Sequence, residues 1–134
     1  MNQNNRPLGW TTLEEAQQLV KVGLPIETAD MHYLKIIREN DVRYIPELLL
    51  DDNECDIPCW SLGALLELIP KIHESENDGG CYPTLCKRYD TDKWHCLYHR
   101  DTLYKTCQYD TAIEAVIEMI IWLLKTNYYG RQSI

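Results

Sequence analysis

The spacing of apolar residues changes several times along the chain, and each change marks an element. Leu13, Ala16, Leu19 and Val20 recur at helical spacing. Thr12 stands before them and Glu15 three residues on, the arrangement of a capping box. Gly23 is the natural stop, because it enters the left-handed region without Cβ strain. Residues 24–33 predict a short second helix or turn, capped by Thr28, with Ala29, Met31 and Tyr33 as its contacts. Residues 34–37, 42–45 and 48–50 each predict a short strand. Ser61 then caps a helix through Leu62, Leu65, Leu66, Leu68 and Ile69 that stops at Pro70. That segment is apolar nearly all round, which predicts a central position.

Polar residues 73–80 end in Gly79-Gly80 and read as a loop. Residues 82–89, 94–100 and 103–109 follow as three strands rich in Tyr, Trp, Thr and Leu, and their short turns permit only antiparallel neighbours. Thr111 and Glu114 form a second capping box before Ile113, Val116, Ile117, Ile120, Ile121, Leu123 and Leu124, the widest apolar face in the chain. Residues 128–134 read as a frayed end. The expected fold is α+β: an antiparallel sheet of three or more strands packed against helices. A flexible tail (1–9) would precede a single domain (10–134).

Composition narrows the function. The chain has 134 residues, 45% hydrophobic, with four Trp and nine Tyr, which is enough for a core and excludes wholesale disorder. The net charge of −8 excludes a nonspecific nucleic-acid binder, which needs excess Lys and Arg. The apolar runs fall short of the ~20 residues that span a bilayer, so no membrane partner is expected. The polar residues at 1–7 do not resemble a signal peptide, so the expected location is cytoplasmic, with the six cysteines reduced. Charge is unevenly divided. Residues 1–80 carry six Lys and Arg against fifteen Asp and Glu, whereas residues 81–134 carry seven against six.

Several groupings offer candidate chemistry on that background. Cys55, Cys59, Cys81 and Cys86 approach the spacing of a zinc site, but neither pair is Cys-x-x-Cys. Cys86, Cys96 and Cys107 read instead as small buried residues within strands, and neither a metal nor a cofactor is expected. Alternation sets Cys96 on the opposite face from His95 and His99, so a Cys–His pair must be made across space, for example Cys59 with His32 or His73. The acidic run at Asp51, Asp52, Glu54 and Asp56 has Asp56 and Leu62 where a calcium loop needs Gly and Glu.

A two-residue turn at Asp101-Thr102 would pair Arg100 with Leu103, Cys96 with Cys107 and Trp94 with Tyr109. The Cys96 side then faces the last helix. The other side collects His95, Leu97, His99, Tyr104, Thr106 and Gln108. With Lys87, Arg88, Lys93 and Arg100 nearby, this half could hold a small anion or nucleotide, using Lys and Arg on phosphate and aromatic rings on a base. The candidate ligand-binding residues are therefore Lys87, Arg88, Lys93, His95, His99, Arg100 and Tyr104, with no catalytic residue. The favoured reading is a small non-enzymatic binding protein that sequesters such a ligand. The alternatives are a protein-interaction module acting on a host protein through its acidic half, and a small hydrolase. The large apolar residues Trp10, Trp60, Tyr128 and Tyr129 add an expectation of a homo-oligomer.

The run Asp56-Ile57-Pro58-Cys59-Trp60-Ser61-Leu62-Gly63-Ala64-Leu65-Leu66-Glu67-Leu68-Ile69-Pro70, together with residues 111–124, resembles a group of small uncharacterised proteins of gut bacteria, their phages and mobile elements. The resemblance covers most of the chain beyond Gly9. It implies a cytoplasmic accessory protein that counters host defence, and it assigns a role to no residue.

Overall fold

In the computed structural model the described residues are 6–48, 57–69, 84–100 and 103–125, with the side chains of 99, 100 and 103–105 outside the description. The fold is α+β, and the described residues form two three-stranded antiparallel sheets and three α-helices. Backbone contacts divide the chain into two compact units, residues 1–64 and 65–134. Among the described residues no helix is long and apolar enough to cross a membrane.

The first unit begins with α1 (Leu13–Lys21). The Thr12 hydroxyl accepts from the Glu15 amide at 3.1 Å and the Glu15 carboxylate accepts from the Thr12 amide at 2.9 Å, so the expected capping box forms. At the other end the Gly23 amide bonds the Val20 carbonyl and the Leu24 amide bonds the Leu19 carbonyl, both at 3.0 Å. This closure needs a left-handed residue between them, and Gly23 supplies it with φ of 106°. Ala16 and Leu19 are buried, whereas Val20 is exposed, so the apolar stripe is narrower than its spacing suggested.

Of the expected short second helix or turn, the structure forms one 3-10 turn, Ile26–Thr28, in which Thr28 is the last residue rather than the cap. Met31 and Tyr33 belong instead to β1 (Met31–Arg38), where alternate positions are buried. A two-residue turn leads into β2 (Asp41–Leu48), and β1 also pairs with β3 (Ile57–Cys59), giving the order β2-β1-β3. The short strands expected at 34–37 and 42–45 are thus parts of one long hairpin. Leu48 ends β2, and residues 49–56, with the acidic loop, lie outside the described residues.

Met31, Tyr33 and Cys59 form the core of this sheet, with Trp10, Leu13 and Ile57 packed against it. Trp60 is fully buried, and its indole N–H donates to the Thr28 hydroxyl at 3.0 Å. Ser61 caps α2 (Leu62–Leu68) by accepting from the Ala64 amide at 3.1 Å. Asp30 holds that cap in place, taking both the Ser61 amide (2.9 Å) and its hydroxyl (2.6 Å). Within α2 only Leu65 is fully buried and Leu66 is exposed, so this helix is not the central element its composition predicted.

In the second unit β4 (Thr84–Lys87), β5 (Trp94–Arg100) and β6 (Leu103–Tyr109) form a sheet in that order. Arg100 pairs with Leu103, Cys96 with Cys107 and Trp94 with Tyr109, the register that alternation and a two-residue turn predicted. Against the sheet packs α3 (Ala112–Lys125), whose buried residues are Ile113, Ala115, Val116, Ile117, Met119, Ile120, Ile121 and Leu123. The Tyr98 ring meets Trp122 edge-on, with centroids 6.3 Å apart. The Thr111 hydroxyl accepts from the Glu114 amide at 3.3 Å and donates to the Glu114 carboxylate at 2.7 Å.

Candidate functional site

Three places in the described structure gather chemistry. The first is the β4–β5 turn, where Lys87, Arg88 and Lys93 come together, drawn in by the bond from the Arg88 amide to the Lys93 carbonyl at 2.8 Å. Each cation there has an aspartate. Arg88 grips Asp90 through two nitrogens at 3.0 and 2.7 Å, Lys87 lies 3.4 Å from Asp92, and Lys93 lies 3.0 Å from Asp110. Asp92 sits at φ 60°, a left-handed position that Asp tolerates better than most residues. The hydrogen bond to Arg88 holds the Asp90 carboxyl below its usual range, while Asp90 holds the guanidinium above its own.

These pairs are exposed and individually weak, but together they leave the corner without the excess positive charge on which the anion reading relied. His95 is nearly buried, with Nε2 3.5 Å from the Thr91 hydroxyl, rather than presented on an open face. By register His99 stands opposite Tyr104 and Arg100 opposite Leu103, but their side chains lie outside the described residues. Within the candidate set, the structure therefore brings Lys87, Arg88 and Lys93 together.

The second place is the knot of Thr11, Tyr33, Cys59 and Trp60. Thr11 is fully buried, its carbonyl accepts from the Tyr33 hydroxyl at 2.7 Å and from the Cys59 thiol at 3.6 Å, and its hydroxyl takes the Trp60 amide at 3.2 Å. Burial pushes the Cys59 thiol up and the Tyr33 hydroxyl up to about 12. Both therefore hold their protons at neutral pH and act as donors that tie α1 to β1 and β3, a structural task. His32 faces away from Cys59, because Cys59 pairs with Met31 and alternation turns the next residue over. Cys96 is also buried, with its thiol pushed up to about 12 by burial. Cys86 is exposed, which corrects its assignment to the interior. Among the described residues no three of His, Cys, Asp and Glu lie close enough to share a metal ion, and Cys55, Cys81 and His73 fall outside them.

The third place was missed by sequence reasoning. Strand β2 runs eight residues with none buried, and among the described residues its outer side has no neighbouring strand. Val42 (50% exposed), Tyr44 and Leu48 (63%) lie on one face with Ile37 (70%), while Arg43, Ile45 and Glu47 lie on the other. The first face continues the buried face of Met31 and Tyr33 out into solvent. On the second, Ile36, Arg38, Asp41, Arg43 and Ile45 line a cavity of about 160 Å³. Ligand pockets for small molecules run to roughly 300–1,000 Å³, so this one suits a single side chain better than a nucleotide. Glu47 lies 3.5 Å from Nε2 of His32, whose Nδ1 is buried without a hydrogen-bond partner. Alternating charge and apolarity along residues 41–48 was the available signal.

No family model, curated protein or solved structure matches this chain.

Proposed function

We propose that the protein is a non-enzymatic binding module that acts by protein–protein contact, with the outer edge of β2 as its working surface. One observation carries the reading: an eight-residue edge strand with no buried residue and with Val42, Tyr44, Ile45 and Leu48 exposed along it. Natural proteins usually blunt such edges with short strands, charges, proline or covering segments, and here Pro46 withholds one outward donor while the remaining outward groups stay open among the described residues. A long apolar one supplies backbone donors and acceptors for affinity, and alternate side chains for choice, to an extended segment of a partner. The site lies in the acidic half of the chain, which supports the interaction-module alternative over ligand sequestration.

A second reading, the small-anion binder, keeps one favourable observation, the gathering of Lys87, Arg88 and Lys93 at one turn. The two separate by experiment. A photoreactive amino acid is placed at position 44, and in a second variant at position 93, in cells that make the protein, and adducts are identified by mass. Protein adducts from position 44 and none from position 93 are expected. Adducts confined to position 93 would overturn the assignment.

A further inference from the structure

We infer that β2 is the seam of a symmetric dimer, pairing antiparallel with β2 of a second copy of this chain. The inference rests on the protein-contact reading above and names its partner. The two-residue turn between β1 and β2 makes Arg38 and Asp41 a mutually bonded pair. Bonding then alternates along β2. The amides of Arg43, Ile45 and Glu47 point at β1, and those of Val42, Tyr44 and Leu48 point outward. Pro46, which has no amide hydrogen, falls at an outward position, where its pairing with β1 loses nothing.

Only outward groups can bond another strand, so even-numbered residues must pair with even-numbered ones. One such register sets Ile45 opposite its own copy. On one face Val42 then meets Leu48 of the second copy and Tyr44 meets its Pro46, so the whole row is apolar. On the other face Arg43 meets Glu47 and Glu47 meets Arg43, on either side of the Ile45 pair. The neighbouring registers lack this match. Tyr44 on Tyr44 sets Asp41 against Glu47, Arg43 on Arg43 opposes like charges, and Pro46 on Pro46 sets Glu47 against Ile45. Opposite charges directly across a ladder stabilise it, and like charges destabilise it. The present partners of these charges yield easily: Arg43 lies 2.8 Å from Asp41 and Glu47 lies 3.5 Å from His32, with the Arg43, Asp41 and Glu47 side chains about half exposed or more. Pairing extends the order β2-β1-β3 into one continuous sheet of both copies, and sets the exposed apolar side chains of β2 beside those of the second copy. The arrangement is isologous, since each copy offers the same edge and the rotation closes.

The test uses the full-length protein in sedimentation over a concentration series, with Arg43→Glu and Glu47→Arg variants alone and mixed. Wild type is expected to dimerise. Each variant alone opposes like charges twice per seam and should weaken the dimer about tenfold or more. In the mixture, a seam between the two variants sets a carboxylate opposite a guanidinium at both charged pairings. It should therefore recover wild-type affinity, which a merely misfolded variant would not. Amide exchange locates the seam, and the charge exchange between the variants reads the register: the outward amides of Val42, Tyr44 and Leu48 should be protected in the wild-type dimer and exposed in each variant alone. A wild-type monomer at every concentration, a dimer indifferent to both variants, or a mixture that fails to recover overturns the inference. A monomer whose position-44 adducts are with a different protein overturns self-pairing alone and leaves the protein-contact reading standing. A monomer without such adducts overturns both.

Discussion

At the scale of single residues the clearest consequences concern protons and φ angles. Cys96 is fully buried in β5, and its thiol is pushed from an ordinary value of 9.0 up to about 12. The folded state therefore keeps a proton that the unfolded chain releases above pH 9. Linkage then gives a stability contribution that is whole below pH 9 and is lost as pH rises toward 12, at about 1.4 kcal/mol per pH unit within that window. Urea midpoints of wild type and Cys96→Ala, compared at pH 8, 10 and 11, isolate this part. The variant should start lower and fall less steeply, and parallel slopes would remove the burial account. Alkylation at pH 8 should mark exposed Cys86 well before Cys59 or Cys96, read by peptide mass. Gly23 offers a second check. Its φ of 106° is a strained angle for any side chain, so Gly23→Ala should cost about 1 kcal/mol or more in thermal unfolding. The glycine at this stop was legible in sequence because the apolar spacing ends just before it. The paired state of Lys87, Arg88 and Lys93 was not legible, because a cation's partner can sit two residues away, as Asp90 does, or seventeen, as Asp110 does.

At the scale of elements, legibility followed the sharpness of the period. Strands β5 and β6 alternate between a helix-facing side, with Cys96, Tyr98 and Cys107, and a polar one, so the register could be written down from the turn alone. The cap hydroxyls of α1 and α3 were equally plain from their place three residues before a Glu, but the reciprocal box forms at α1, whereas at α3 the Glu114 carboxylate accepts from the Thr111 hydroxyl. The β1–β2 hairpin was read as fragments because β2 is exposed on both faces. Lys35, Arg38, Arg43 and Glu47 interrupt Ile36, Ile37, Val42 and Ile45 with no buried side to impose a two-residue period. Met31 and Tyr33 were assigned to a short helix or turn because a short apolar run fits either period, and the pairing with β3 decides. Helix α2 misled through composition, since leucines at successive positions suggested burial on every side that only Leu65 achieves. Helix α3 has the burial that its sequence implied. Ile120→Ala, at a position 3% exposed, should lose about 2–5 kcal/mol in denaturant unfolding. Thr111→Ala should lose about 1 kcal/mol through the cap. Unchanged melting of both variants would contradict α3 as the core element of its unit.

At the scale of the whole molecule the question is which surface does the work, and charge and apolarity give different answers. The net charge of −8 repels anions at long range, but at 0.15 M salt that field fades beyond about 8 Å, so local charge decides. Locally, Lys87, Arg88 and Lys93 are matched by Asp92, Asp90 and Asp110. A phosphate entering this corner must displace an aspartate for each cation it takes, and Arg88 holds its aspartate through two bonds. Of the residues behind the expected oligomer, Trp60 is fully buried and Trp10 packs against the core of its own sheet, while Tyr128 and Tyr129 lie outside the described residues. The apolar surface that calls for cover lies at Ile37, Val42, Tyr44 and Leu48 instead. Calorimetric titration with mono-, di- and cyclic nucleotides at 0.15 M salt is therefore expected to show no saturable heat at this corner. Removing its acids should change that. The Asp90→Asn, Asp92→Asn double variant frees Arg88 and Lys87 and should gain measurable, salt-sensitive phosphate binding, while its melting temperature stays close to wild type because exposed ion pairs contribute little. Saturable nucleotide binding by the wild type that a Lys87→Ala, Arg88→Ala double variant abolishes would return the function to the second sheet and leave the β2 edge a by-product of the fold.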